Sequence, residues 1–305
     1  MSILFSHFLS KNNEIRPQEA EFTEVLCNIA LVPNLLYFYG KMPQNRPRTI
    51  AIVGTRKPSE YGKKIAYDLA FAVAKRGVIV ISGLAYGIDS TAHRGALAAG
   101  GITVAILGTR IDRIYPSQHL GLAEEIVRKS GVVMSEIAPG TEFSSKWENQ
   151  TCFLRRNRLI SGLADVVVVV EAAERSGSLN TAAHAIEQGR EIFAVPGDIT
   201  RPASMGCNRL LAKGGAQVYT GIQDVLDFLF PPLKNRQRKL IDESQLSGDS
   251  EIETTILRAL GDGITDGDEI LRRSGLSCSD FNCNITLLEL KGRVASMGLN
   301  QWVLV

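Results

Sequence analysis

The sequence predicts an α/β fold: a parallel sheet covered by helices on both faces, followed by a small winged-helix domain. Three observations carry this. Short apolar runs rich in β-branched residues, such as Ile79-Val80-Ile81 and 166–170, alternate with stretches of helical spacing. Gly-rich turns follow these runs, where the carboxyl edge of a parallel sheet would lie. Beyond Pro231-Pro232 the pattern changes to three amphipathic helices and two short strands.

Residues 1–20 are polar and irregular, and no order is expected there. Residues 21–29 suggest a short helix, and 33–40 a short strand closed by Gly40. The repeating pattern begins with a strand at Thr49–Val53 and a turn at 54–59. Ile65, Leu69, Ala72 and Val73 give 61–76 helical spacing, and Gly77 ends it. A strand at 78–81 leads through Ser82-Gly83 and Gly87 to a helix around 89–99. Then come a strand at 102–107, a helix near 117–129, a strand at Val132–Ser135 and an irregular stretch through Gln150. The strand at 166–170, a helix near 179–188 and strands at 192–195 and 217–219 follow, with a last helix at 222–230.

The segments after Pro232 are a polar linker and a small domain. In the linker, Lys234 to Lys239 are basic and the residues after Asp242 acidic. Ile252, Ile256, Leu257 and Leu260 mark the first small helix, and 265–271 start the second. The third opens at Ser277, with Leu287, Leu288 and Leu290 as its expected apolar face. Gly292 and Gly298 bracket the wing. The expected divisions are 1–45 as lead-in, 46–232 as the large domain, 233–250 as linker and 251–305 as winged helix.

Composition narrows the class. At 305 residues, 45% apolar and 22% charged, the chain resembles ordinary soluble proteins. No run is apolar enough to span a bilayer, and the start lacks the basic region of a secretory signal, so a cytoplasmic protein without membrane contact is expected. Five scattered cysteines argue against a disulfide framework. Cys278 and Cys283, the one close pair, lack a second Cys/His pair, so buried thiols are expected rather than zinc. No metal or cofactor is expected. The net charge is only +2, but from Asp249 to Val305 nine acids outnumber five bases. That segment is −4, leaving +6 on residues 1–248, where a polyanion would bind.

Four stretches can carry chemistry. In Gly54-Thr55-Arg56, glycine permits a tight turn, threonine offers a hydroxyl and arginine a forked cation for phosphate. In Gly83 to Asp89, the turn exposes amides at a helix start, and Tyr86 can stack on a base. Asp89 and His93, four apart on one helical face, fit an acid/base pair or, preferably, a helix cap and a structural hydrogen bond. Ser176-Gly177-Ser178, preceded by Arg175, fits an anion nest, a helix cap, or both. Phe153-Leu154-Arg155-Arg156-Asn157-Arg158 offers cations for phosphates and a ring for an unpaired base, with some arginines supporting nearby loops instead.

Together these stretches resemble the DprA/Smf family of DNA-processing proteins. The matching elements are Gly54-Thr55-Arg56, Ser82-Gly83-Leu84-Ala85 with Gly87-Ile88-Asp89 and Ala92-His93, Ile114-Tyr115-Pro116, Ser135-Glu136, Arg156-Asn157-Arg158, Ser176-Gly177-Ser178, Ala194-Val195-Pro196-Gly197 and Gly206-Cys207-Asn208. The resemblance covers roughly residues 30–230, and the winged helix fits it too. It implies an extended Rossmann-like domain that binds single-stranded DNA, forms a homodimer and helps load a RecA-type recombinase during natural transformation in competent cells. Carried over, Arg56 holds a phosphate and Gly83 and Gly87 build the pocket floor. Phe153 stacks on or wedges against a base, Asn157 and Ser176 to Ser178 complete the pocket, and Lys146 reaches the strand. The chain departs from the family at Tyr86, where arginine is usual, at Leu154, where proline is common, and at Arg110, where glycine is common. The helical N-terminal domain of many members is expected to be absent or reduced to the first forty residues.

The alternative is an enzyme, a nucleotide phosphoribohydrolase of the lysine-decarboxylase-like type, or a nucleotide-sensing module without turnover. Against the enzyme, His184 stands where its catalytic glutamate is expected, and the chain has no Walker motif, metal cluster or nucleophile triad. The acidic winged helix, with Asp280 and Glu289 on its third helix and no base there, is expected to contact protein rather than duplex DNA.

Overall fold

A computed structural model describes residues 13–142, 146–231, 246–262, 264–298 and 300–304. The chain divides into two compact units, Met1–Phe230 and Pro231–Val305. In the first, the strands are β1 (Asn13–Ile15), β2 (Leu36–Gly40), β3 (Thr49–Val53), β4 (Ile79–Ser82), β5 (Thr103–Ile106), β6 (Val132–Ser135), β7 (Val166–Val169), β8 (Glu191–Ala194) and β9 (Gln217–Val218). The helices are α1 (Glu21–Glu24), α2 (Glu60–Ala74), α3 (Ile88–Ala98), α4 (Leu120–Arg128), α5 (Lys146–Leu163), α6 (Gly177–Glu187), α7 (Pro202–Ala212) and α8 (Ile222–Leu229).

The strands make one sheet in the order β1-β2-β6-β5-β4-β3-β7-β8-β9. From β6 to β9 all neighbours are parallel. This is a Rossmann-like sheet extended at one edge. The extension corrects two sequence expectations. β2 runs antiparallel to both β6 and β1, and Asn13–Ile15, within a stretch read as irregular, is a strand. Its three residues contain one apolar side chain, so only the pairing with β2 identifies it.

Continuous apolar strands bury both faces of the sheet. On β3, Ile50 and Ile52 pack on one side with Leu69 and Val73 of α2 and Ile88 of α3. Ala51 and Val53 point to the other, with Leu159, Ile160 and Leu163 of α5. Each such fully buried aliphatic side chain contributes about 1.5–3 kcal/mol. Two helices escaped the sequence reading. α5 begins at Lys146, inside the stretch read as irregular. Its buried residues include Arg156, Asn157, Arg158 and Ser161, so no clean apolar stripe marks it. α7 carries Pro202 and Gly206, which read as breakers, yet proline is well placed in a first turn.

The second unit contains α9 (Glu251–Gly261), α10 (Gly267–Ser274), α11 (Cys278–Leu290), β10 (Val294–Gly298) and β11 (Gln301–Leu304), the last two an antiparallel wing. Ser250, Asp266 and Ser277 cap the three helices by accepting from Glu253 N, Glu269 N and Asp280 N. The apolar face of α11 differs from the expected one. Phe281, Ile285 and Leu288 face the core at i, i+4 and i+7, while Leu287 and Leu290 are exposed. All five cysteines are free thiols; Cys278 and Cys283 are exposed, against the expectation of burial, and so is Cys27. Among the described residues no helix is long and apolar enough to cross a membrane.

One glycine fixes the junction of strand edge and helix. Gly87, ahead of α3, has φ +81°, and a Cβ there would meet Thr55 O and come within 2.7 Å of Pro58 Cδ. Gly87→Ala should destabilise the first unit by about 2 kcal/mol or more, read from chemical denaturation. Equal stability would contradict this packing.

Candidate functional site

The strand order reverses at β3, which lies between β4 and β7. In such sheets the crevice at the reversal, beyond the carboxyl ends, is the binding position. Three turns meet there: 54–59 after β3, 83–87 after β4 and 170–176 after β7. Thr55 N donates to Glu171 O at 2.7 Å, and Ile88 N to Thr55 O at 3.2 Å, so the first turn is bonded to both others. The buried Glu171 carboxylate accepts from Ser59 N at 2.8 Å and from Ser59 Oγ. Glu171 was not singled out in the sequence. Its signal was a carboxylate directly after the most apolar strand.

Arg156 of α5 reaches under these turns. It is 6% exposed. Its Nη1 donates to Gly83 O at 3.0 Å and to Ile106 O, and its Nε to Asn157 Oδ1 at 3.2 Å. A Cβ on Gly83 would lie 2.7 Å from Arg156 Nη2, so any larger residue there would push the guanidinium aside. Burial lowers the Arg156 pKa to about 10, with the charge of Asp89 opposing. Asp89 is itself pushed up by burial, opposed by Arg156, the amides of Gly83 and Ala85, and Ser82. Its Oδ2 accepts from Gly83 N at 3.0 Å.

Arg158 of this helix also turns inward, while Arg155 stays exposed. Arg158 grips Glu136 with two bonds, at 3.0 and 2.7 Å, and Arg155 shares the same carboxylate at 3.3 Å. The cluster expected to neutralise phosphates therefore braces the fold: its charges already have protein partners. Asn157 Nδ2 donates to Gly177 O and to Asn180 Oδ1, both at 3.1 Å, tying α5 to the start of α6. Ser176 caps α6 by accepting from Ser178 N, and its hydroxyl lies 2.7 Å from that of Ser178.

These elements enclose a cleft of about 420 Å³. Gly54, Thr55, Arg56, Phe153, Arg156, Asn157, Ser176, Gly177 and Ser178 line it, as do Lys57, Leu154 and Thr181, which the sequence reading did not select. Arg56 and Lys57 are exposed, and neither makes an ion pair with the described residues. A smaller hollow adjoins the cleft, lined by Arg56, Gly83, Tyr86, Tyr115, Pro116, Phe153 and others. Gly87 lines neither. It packs beneath the first turn, so its role is conformational and it is not pocket floor. Arg175 is exposed outside the lining of both. Lys146 opens α5, and its side chain lies outside the described residues.

Asp89 and His93 do not pair as acid and base. His93 Nδ1 lies 2.7 Å from Thr103 Oγ1, on β5 rather than on a turn, while Asp89 holds the Gly83 amide. Asp89 caps the turn before α3 rather than the helix itself, whose N-cap is Gly87. Burial pushes the His93 pKa down to about 3, assisted by the charges of His119 and Arg156.

The site and fold define a Rossmann-like protein with a cationic, aromatic-flanked cleft at the sheet's reversal point and an appended winged helix. A family model described as DNA recombination-mediator protein A matches residues 13–230, and one for the DprA winged helix domain matches 242–298. A DprA protein of Mycobacterium tuberculosis is 40% identical over 263 residues, 85% of this chain; the match spans 66% of that relative, just under two thirds. Protein Smf of Escherichia coli is 34% identical over 296 residues, covering 94% of this chain and 76% of its own length. Among solved structures, DprA of Streptococcus pneumoniae matches with TM-score 0.63 and 36% identity, over 72% of this chain and 75% of that one. DNA processing protein A of Helicobacter pylori, whose structure was solved for its single-stranded DNA binding mode, matches with TM-score 0.63 and 31% identity, over 72% and 95%. The chain belongs to the DprA/Smf family of DNA-processing proteins.

The neutral burial of His93 has a pH consequence. Its folded pKa lies below the unfolded value of 6.5, so its contribution to stability is complete above that pH and is lost as pH falls toward 3. Between about pH 6 and pH 4 the wild type should lose about 1.4 kcal/mol per pH unit more than His93→Asn, measured by denaturation. Parallel profiles would show that His93 titrates normally in the fold.

Proposed function

We propose that this protein binds single-stranded DNA along the carboxyl edge of the sheet. Arg56 carries the reading: it is an exposed guanidinium without an ion-pair partner among the described residues, and it lines both the cleft and the adjoining hollow. Beside it, the first-turn amides of α6 and the Ser176–Ser178 hydroxyls form an anion site at the positive end of a helix. Phe153, half-buried at the wall between cleft and hollow, offers a ring to an unpaired base. Gly54, Thr55, Gly83 and Asn157 shape the site, with Arg156 as its internal support. Lys57 joins Arg56 as a phosphate contact. The excess of +6 on residues 1–248 favours a polyanion.

The strand is bound without bond-making chemistry in this reading. Asp89 is the one carboxylate among the described residues lining the cleft, and it is buried against Gly83 N and Arg156. His184, at the position of the glutamate in the enzyme alternative, lies 3.2 Å from Glu187 and outside the cleft lining. Delivery of the strand to a RecA-type recombinase and homodimer formation complete the proposal, supported by family membership. The winged helix, by its charge, contacts protein.

Wild type should bind oligo-dT in preference to duplex of equal length, measured by fluorescence anisotropy. Arg56→Ala should weaken that binding at least about tenfold and flatten the dependence of log K on log salt by about 0.7, as for one lost phosphate contact on a single strand. Equal affinity for duplex, or an unchanged Arg56→Ala, would refute the assignment. Release of free base from a nucleoside monophosphate would favour the enzyme instead.

A further inference from the structure

The hollow beside the cleft has a different chemistry from the cleft itself. Its cations are Arg56, shared with the cleft, and Arg156, which is buried and bonded to backbone carbonyls. What it adds is aromatic surface: Tyr86 and Tyr115 remain 40% and 47% exposed at its edge, with Phe153 as the wall toward the cleft.

Both tyrosines are held in place. The Tyr86 hydroxyl donates to Gln118 Oε1, and its ring meets His119 edge-on at 5.0 Å between centroids. His119 is buried, with Nδ1 2.8 Å from Leu84 O. Leu84 has φ +58°, a left-handed conformation that costs a leucine about 1 kcal/mol and persists only where its surroundings impose it. That bend places Tyr86 at the rim while Leu84 is fully buried. Tyr115 packs its ring edge-on against Phe153 at 5.5 Å. Rings fixed before binding lose little conformational freedom on contact, and stacking on an unpaired base tolerates any sequence.

We propose that Tyr86 and Tyr115 form a second base-stacking slot on the open rim of the hollow, next to the phosphate cleft, where their exposed faces rather than the narrow interior take the base, a reading that rests on the single-strand assignment above. A phosphate held at Arg56, which lines both spaces, directs one neighbouring nucleotide toward Phe153 and Ser176 and the other toward the tyrosines. Affinity at this point comes from stacking and is insensitive to salt, in contrast to the cleft.

The test titrates full-length protein with oligo-dT and with an abasic strand of equal length and phosphate number, at several salt concentrations. Tyr86→Ala and Tyr115→Ala should each weaken oligo-dT binding about tenfold. Their abasic affinity and salt slope should match wild type. Tyr86→Phe and Tyr115→Phe, which keep the rings, should stay within about twofold of wild type on oligo-dT. Alanine variants that bind oligo-dT like wild type, or that lose both strands equally, overturn the slot. So do phenylalanine variants as weak as the alanine ones. Wild type binding oligo-dT and abasic strand alike overturns the slot but leaves the phosphate cleft standing. Wild type binding neither removes the single-strand reading itself.

Discussion

The buried guanidinium of Arg156 is the point on which the site depends. Two carboxyl-edge segments converge on it, Gly83 after β4 and Ile106 at the end of β5, and Asn157 of its own helix accepts a third bond from it. An arginine can do this because its fork presents several donors in fixed directions and keeps its charge even when burial depresses its pKa. Asp89 supplies the counter-charge and, by accepting from Gly83 N, fixes the same turn from its other side. The turn that carries Tyr86 is thus shaped from inside the protein, before any ligand arrives.

Much of the fold was legible because its signals are local. β3, β4 and β7 are runs of Ile, Val, Ala and Thr, closed by Ser82 in β4, a pattern that fits buried parallel strands or buried helix segments, and their length decides for strands. The three turns were legible for the same reason, since glycine and serine cluster where a strand gives way to a helix. What was not legible depends on partners far away in sequence. Arg158 reads as a solvated cation until Glu136, 22 residues earlier, is brought against it. Arg156 reads as a phosphate ligand until Gly83, 73 residues earlier, arrives. α5 itself was obscured because these polar residues face inward and break the apolar stripe. Tyr115 gave no local hint of its position beside Phe153, which lies on another element.

The two units divide labour by charge. In the first, Arg56 and Lys57, without ion-pair partners among the described residues, stand at the crevice, while Arg155 and Arg158 are matched by Glu136. In the second, Lys291 is held between Asp249 at 2.8 Å and Glu253 at 2.6 Å, and Lys291 and Asp249 hold each other charged. A base that could have served a polyanion is therefore neutralised, and exposed Leu287 and Leu290 stand on an acidic helix instead. On the reading proposed above, this surface would meet apolar and basic side chains of a protein rather than a phosphate backbone.

The ends of the nine-stranded sheet have a consequence of their own. One edge is β1, three residues long, and the other is β9, only two. An edge strand templates the addition of another strand through its row of free amides and carbonyls, and a short one offers few. The long, strongly apolar strands all lie inside the sheet. The protein can thus carry a core as β-rich as that of an aggregation-prone chain while denying a neighbouring molecule a backbone seam. Among the described residues, the first unit therefore offers an incoming strand little backbone edge to prolong.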